Sequence, residues 1–192
     1  MLKRSRSCFP ALALALLVGC VMPSSPTPEY FLLTSQSAQA EPRLAHLSIG
    51  VGPVRVAPFL ERAQLVSHDG RGGLDVSDLQ RWAEPLDKGI QRVMVQNLAS
   101  LTGAHTRNFP WSRSGIPQRA LRLDVLDLNG AGERAVMEVL WVVEDLGGEQ
   151  GPVRGRERLE QPLDGGGPDA LVLAYSQLLD TLAQRIAAAL GP

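Results

Sequence analysis

The chain has 192 residues, a formal net charge of −1 and an apolar content of 44%. This length fits one domain, and the apolar content is sufficient to build a core. The near-neutral charge offers no basic patch of the kind that nucleic-acid-binding proteins carry, which excludes that class of function.

The N-terminal 19 residues have the parts of a bacterial export signal. A basic segment, KRSR at 3–6, precedes an apolar stretch, ALALALLV at 11–18. This stretch is shorter than the roughly 20 residues that a membrane-spanning helix requires. It ends in Leu17-Val18-Gly19-Cys20, which resembles the lipobox of bacterial lipoproteins. We expect residues 1–19 to be removed and Cys20 to carry the lipid; the alternative is an ordinary signal peptide that contains a cysteine.

Lipidation and removal of the signal would together account for both cysteines of the chain. There are two, Cys8 and Cys20, and Cys8 lies inside the signal. The mature protein then has no thiol for a disulfide or for a cysteine-ligated zinc site. Acyl chains such as palmitate on Cys20 would make a stable anchor. Removal of three basic residues with the signal changes the formal charge from −1 to −4.

A tether and several strands follow the signal. Residues 20–29 comprise the lipid-bearing cysteine and a segment with three prolines, which favour extended structure. Alternating apolar residues predict strands at 30–33, 47–56 and 64–68, and Gly50, Gly52 and Pro53 predict a bulge in the second. The glycine-rich segment 69–73 predicts a turn into a short strand at 74–76, which completes a hairpin.

Two amphipathic helices are predicted, at about 85–102 and 169–190, from apolar residues at three- and four-residue spacings. Pro85 suits the first turn of the earlier helix, and Gly103 suits its C-terminal cap.

Four strands are predicted between the two helices, at 104–109, 119–128, 134–145 and 153–161. A hairpin turn at 129–132 joins the second and third of these. Segment 134–145 is apolar at nearly every position and is expected in the centre of a sheet, whereas the charged segment 153–161 is expected at an edge. Residues 30–192 are therefore predicted to form a single α+β domain of two layers, a mixed, mostly antiparallel sheet and two amphipathic helices.

The sequence contains no pattern that indicates catalysis, a metal or a cofactor. The histidines, His46, His68 and His105, lie on separate segments without ligand spacing. Ser67-His68-Asp69 has the residue types of a catalytic triad, but consecutive strand residues point to opposite faces. Neither a nucleophile elbow nor a phosphate-binding loop is present. We therefore expect a protein that is not an enzyme and binds no metal.

Two tryptophans are the candidate residues for a partner interface. Trp82 lies just before the first helix, where packing at the start of the helix and contact with a ligand are the alternatives. Trp111 lies in a loop flanked by prolines, where an interface anchor and packing onto the sheet edge are the alternatives.

Several segments, taken in their order and spacing, resemble the PqiC (YmbA) family of auxiliary lipoproteins of ABC-type transport systems. The most distinctive is Arg81-Trp82-Ala83-Glu84-Pro85-Leu86. The others are Tyr30–Leu33, Ile49–Val54, Pro58–Arg62 leading to Gln64–Val66, and the succession Ile90, Val93 and Asn97-Leu98. The resemblance covers nearly the whole mature chain and is weakest after Gly147.

The resemblance implies a non-enzymatic lipoprotein on the outer membrane, facing the periplasm. Members of this family work with MCE-domain proteins that bridge the periplasm, and with inner-membrane components, to move lipids. Val21 follows Cys20 where an inner-membrane retention signal would place Asp, and this favours the outer membrane. We expect the protein to dock this bridge as a homo-oligomer. The alternatives are a lipid- or amphiphile-binding carrier domain on a lipid tether and, with no residue pattern behind it, an exported hydrolase.

Overall fold

The structure, a computed structural model, describes residues 26–40, 42–148 and 150–191. Eight strands and two α-helices follow one another in the order β1 (Glu29–Phe31), β2 (Ser48–Val56), β3 (Gln64–His68), β4 (Leu74–Trp82), α1 (Leu86–Thr102), β5 (His105–Asn108), β6 (Arg119–Ala131), β7 (Arg134–Asp145), β8 (Val153–Pro162) and α2 (Pro168–Ala189). The predicted signal, Cys20 and the first part of the tether lie outside the described residues.

The α+β class is confirmed, and the strands divide between two sheets where one had been expected. The larger sheet has the order β5-β2-β6-β7-β8, and the smaller has the order β1-β4-β3. β2 runs parallel to both β5 and β6, whereas β6, β7 and β8 are antiparallel neighbours. Both helices contact the larger sheet and each other. The core therefore lies between the helices and one face of this sheet.

The helix bounds agree closely with the apolar periodicity. In α1 the residues that face the core include Ile90, Val93, Met94 and Leu98, all of which are fully buried. Gly103 ends α1 in the left-handed conformation, with φ of 71°, as its position predicts.

The strand bounds differ from prediction mainly at turns and at β4. The β6–β7 hairpin turns at Gly132-Glu133, so Asn129 and Gly130 remain in β6. Gly132 has φ of 63°, which suits a two-residue hairpin loop. β4 continues to Trp82, well past the predicted end at 76, because β1 supplies a second partner to its later half. The predicted bulge in β2 is present, as a register shift between Val51 and Val54.

β7 and β8 occupy neighbouring positions at one side of the larger sheet. β8 is an edge strand, as its alternating charges predict. β7 lies between β6 and β8, so β6 is the central strand. The core side of β7 is buried, whereas Leu140 on its other face is 37% exposed. The long apolar run of β7 thus reflects one buried and one partly open face.

The link between β1 and β2 contacts both helices, and we name its described residues, 33–40 and 42–47, the strap. The amide of Thr34 in the strap donates to Ser176 Oγ of α2 over 3.1 Å. The amide of Leu44 donates to the carbonyl of Thr102 at the end of α1 over 2.8 Å. The strap therefore connects α1 to α2.

Candidate partner interface

The loop between β5 and β6 holds Trp111 against the larger sheet. The Trp111 ring lies edge-on to Phe109, with ring centres 5.1 Å apart. It also covers Gly50 of β2, since a Cβ atom there would lie 2.6 Å from the indole. Gln91 of α1 donates to the carbonyl of Phe109 over 2.7 Å and fixes the start of the loop. Two roles were predicted for Trp111, and packing onto the sheet is one that the structure shows.

The same loop leaves apolar surface open. Trp111 is only half-buried, Phe109 is 39% exposed and Ile116 is 58% exposed. Aromatic and aliphatic side chains that are held rigidly in a partly exposed position are typical of interface anchors. Trp111 is the residue of this loop that was predicted from the sequence as an interface candidate, and Phe109 and Ile116 were not predicted. Their signal was present in the apolar residues beside the prolines at 110 and 117.

Trp82 lies in the interior of the folded protein. Its side chain is 8% exposed, and its ring centre is 6.4 Å from that of Tyr175 on α2. Trp82 ends β4 four residues before α1 begins, so it packs at the start of the helix. The structure thus places Trp82 among core side chains and Trp111 on the surface, and it does not bring them together.

The two sheets meet at a polar junction formed by His68 of β3 with Asp127 and Asn129 of β6. His68 Nε2 lies 2.9 Å from Asp127 Oδ1. His68 Nδ1 lies 3.2 Å from the amide nitrogen of Gly70, which donates to it. Both ring nitrogens are therefore engaged, and neither is directed at Ser67. The triad residue types at 67–69 do not form a triad, as expected.

A cleft of about 440 Å³ opens beside this junction, lined by His68, Asp127, Asn129 and Arg158 among others. Its lining is largely polar or glycine. Binding sites for small apolar molecules are lined mainly by hydrophobic side chains, so this cleft does not have their character.

Tyr175 lies beneath the junction with its hydroxyl buried and without a hydrogen-bond partner among the described residues. Burial raises the pKa of Tyr175 above its ordinary value, and the negative charge of Asp127 raises it further. Both effects favour the neutral phenol. The ring packs against Trp82.

No group of three or more His, Cys, Asp or Glu side chains in the part of the chain that the structure describes is placed to hold a metal ion. Among the described helices, none is long and apolar enough to cross a membrane. Cys20, the predicted lipidation site, lies outside this range.

Comparison with known proteins identifies relatives of the whole domain. A solved structure of an uncharacterised protein superposes with a TM-score of 0.71 at 21% identity, covering 86% of this chain and 100% of that one. Protein XCC0632 from Xanthomonas campestris superposes with a TM-score of 0.68 at 14% identity, covering 83% and 92%. These likenesses concern the fold. No curated protein matches the chain.

A family model, described as ABC-type transport auxiliary lipoprotein component, matches residues 30–187. The match begins at β1 and ends within α2, so it spans nearly the whole described domain. This chain belongs to the family of ABC-type transport auxiliary lipoproteins.

Proposed function

We propose that this protein is a non-enzymatic, outer-membrane lipoprotein that docks the periplasmic part of an MCE-type intermembrane lipid transport system. The observation that carries the proposal is the family match over residues 30–187, directly behind the lipobox-like sequence that ends in Cys20. A lipid-anchored domain of this family acts beside a transporter, and its surface has to supply a contact with that transporter.

The N-terminal sequence supports the location. Residues 1–19 have the features of an export signal, and Cys20 is suited to acylation. Val21 replaces the Asp that would retain a lipoprotein in the inner membrane. The tether then places the domain in the periplasm, where a bridging protein is within reach.

The described residues favour docking over catalysis by His68 and over lipid carriage in the cavity beneath it. Both nitrogens of His68 are bonded within the chain, so this polar junction connects the two sheets. The cavity beneath it, lined by Trp82, Leu128 and Tyr175 among others, has a volume of about 10 Å³. This is room for about one water molecule, so an acyl chain does not fit there.

The exposed apolar loop supports a specific contact. Within the proposal, Trp111 is the anchor toward the transport partner, and Phe109 and Ile116 extend its surface. Trp82, the other predicted interface residue, is buried in this chain, and we assign to it the support of α1 and α2.

The proposal is tested by affinity purification of the full-length lipoprotein from membranes dissolved in mild detergent. We expect an MCE-domain protein to be recovered, and light scattering to show more than one copy of the chain per particle. Recovery of the lipoprotein without any MCE-domain protein would contradict the proposal.

A second experiment tests the loop. Ile116→Glu places a charge in the proposed interface, so we expect at least a tenfold loss of recovered partner, which corresponds to about 1.4 kcal/mol. Trp111→Ala should act in the same direction. Leu173→Glu, at a side chain on α2 that is 38% exposed, is the matched control and should leave recovery unchanged. Equal recovery with Ile116→Glu and the control, at unchanged melting temperature, would remove the loop from the interface.

A further inference from the structure

Exposed apolar side chains lie on β1 and on the residue that follows it, Leu32, at the start of the domain behind the lipid tether. Tyr30 is 63% exposed and Leu32 is 50% exposed. Phe31 between them packs against the core, so Tyr30 points to the opposite face of β1, and Leu32 is exposed just beyond the end of the strand. β1 pairs with β4 on one side only, and it is therefore an edge strand. Exposure of two large apolar groups to water at such a position is unfavourable in free energy.

The length of the tether limits what this face can meet. Tyr30 is ten residues from Cys20, a span of at most about 36 Å when fully extended. A compact domain of this size has a radius of gyration of about 15 Å, which for a sphere corresponds to a diameter of about 39 Å, so the fully extended tether is no longer than the domain is wide. An acylated Cys20 therefore keeps β1 close to the bilayer. The short link raises the effective concentration of lipid at β1, and a weak contact is then sufficient.

A cation lies beside the two apolar groups. Arg81 of β4 is the cross-strand neighbour of Tyr30. It is half-buried and makes no ion pair with any residue that the structure describes; its Nε is buried without a hydrogen-bond partner there, so only the end of the guanidinium group is available to a ligand. A guanidinium group binds phosphate oxygens well. Tyrosine prefers the boundary between hydrocarbon and water, so the three side chains together suit a phospholipid surface.

We propose that the face formed by Tyr30, Leu32 and Arg81 rests on the phospholipid headgroups of the bilayer that holds Cys20. The inference depends on the acylation of Cys20 in the proposed function. It adds which side of the domain meets the membrane and fixes the orientation of the domain. Tyr30 and Leu32 enter the headgroup region, and Arg81 faces lipid phosphate.

Spin labels on the full mature lipoprotein test the orientation. The mature chain has no cysteine except the acylated Cys20, so Tyr30→Cys and Leu32→Cys each create one labelling site. Ile116→Cys, at a side chain that is 58% exposed in the β5–β6 loop, is the matched control. The samples are reconstituted into vesicles of phosphatidylethanolamine and phosphatidylglycerol, and the collision rates of each nitroxide with oxygen and with a water-soluble nickel chelate are compared.

Labels at 30 and 32 should favour oxygen over the chelate several-fold more than the label at 116. The same ratio at all three positions, with Cys20 acylated by mass spectrometry, would overturn this inference and leave the proposed function intact. Dipolar broadening between labels at position 30 of two molecules, without oxygen preference, would also overturn it and indicate a second copy of the chain. An unacylated Cys20 in the same spectrum would overturn both proposals. The Tyr30→Cys and Leu32→Cys variants should have the melting temperature of the parent, because the replaced side chains lie on the surface.

Discussion

At the scale of the residue, Asn129 shows how one side chain joins the two sheets. Its Oδ1 accepts from the amide of His68 over 2.8 Å, and its Nδ2 donates to the carbonyl of His68 over 3.0 Å. The amide side chain thus bonds β3 as a neighbouring strand would. Asn129 is 4% exposed, so water cannot replace these bonds.

We therefore predict that Asn129→Ala lowers the free energy of unfolding by about 1–3 kcal/mol, since it leaves the partly buried amide and carbonyl of His68 without partners. Urea unfolding followed by circular dichroism measures the change. Asn108→Ala, at an exposed position of β5, is the control and should have little effect. Equal losses in the two variants would show that Asn129 does not join the sheets.

At the scale of the element, the end of α1 and the strap depend on the same glycine. Gly103 has φ of 71°, where side chains are strained. A Cβ there would also lie 2.4 Å from Cβ of Pro42 in the strap. The absence of a side chain at 103 thus permits both the helix cap and the close approach of the strap.

Gly103→Ala should lower the free energy of unfolding by more than Gly132→Ala. Gly132 has φ of 63°, but a Cβ there meets nothing within 4 Å, so this variant measures the backbone strain alone, about 1 kcal/mol. The difference between the variants reports the contact with Pro42. Hydrogen exchange of the Leu44 amide should rise only in Gly103→Ala. Equal losses would mean that the strap adjusts without cost.

The C-terminal end of β7 is held in place by the carboxylate of Asp145. Arg119 of β6 pairs with Asp145 at 2.5 Å. The amides of Gly147 and Gln150 donate to the same carboxylate over 2.9 and 2.8 Å. The hydrogen bond from Arg119, followed by those from the two amides, holds the pKa of Asp145 below its ordinary value. Asp145 therefore orders the link to β8.

A carboxyl group whose pKa is lower in the folded protein than in the unfolded chain, where it is near 3.9, stabilises the fold at pH values above 3.9. This contribution disappears as the pH falls below that value. We expect Asp145→Asn to be less stable than the parent at pH 7, and to lose less of its stability between pH 5 and pH 3. Urea midpoints at these pH values measure the effect. Asp75→Asn, an exposed position of β4, is the control and should keep the acid dependence of the parent. An unaltered acid dependence in Asp145→Asn would contradict this role.

At the scale of the whole molecule, the predicted lipidation site precedes the residues that build the core. The core is built from residues of the described domain, beginning at Leu33, and Cys20 precedes that domain. Cys20→Ser should therefore leave the free energy of unfolding of the mature domain unchanged while it moves the protein from the membrane fraction to the soluble periplasmic fraction. Cys8→Ser is the matched control, since that residue would leave with the signal. A membrane-bound Cys20→Ser protein would contradict lipid anchoring.

Local patterns predicted most elements well. The bounds of β3 and β7 agree with the prediction at both ends, and those of α1 and α2 agree within one residue. These segments have strong apolar periodicity or clear turn residues beside them, and such signals act over a few residues. β4 was predicted too short because its later half is polar in sequence and depends on β1 for pairing. The Asn129 contact left no local signal, since asparagine beside glycine also favours a turn.

The sequence by itself determined the family, the predicted lipidation of Cys20, the α+β class and the apolar faces of the two helices, because each depends on short motifs or on regular spacing. Only the tertiary structure decided that the strands form two sheets and that β2 lies between β5 and β6. It also separated the tryptophans, with Trp82 buried and Trp111 at the surface, and exposed Tyr30 and Leu32. Strand partners and the burial of single side chains depend on residues far apart in the chain, and local spacing carries no record of which distant segments meet.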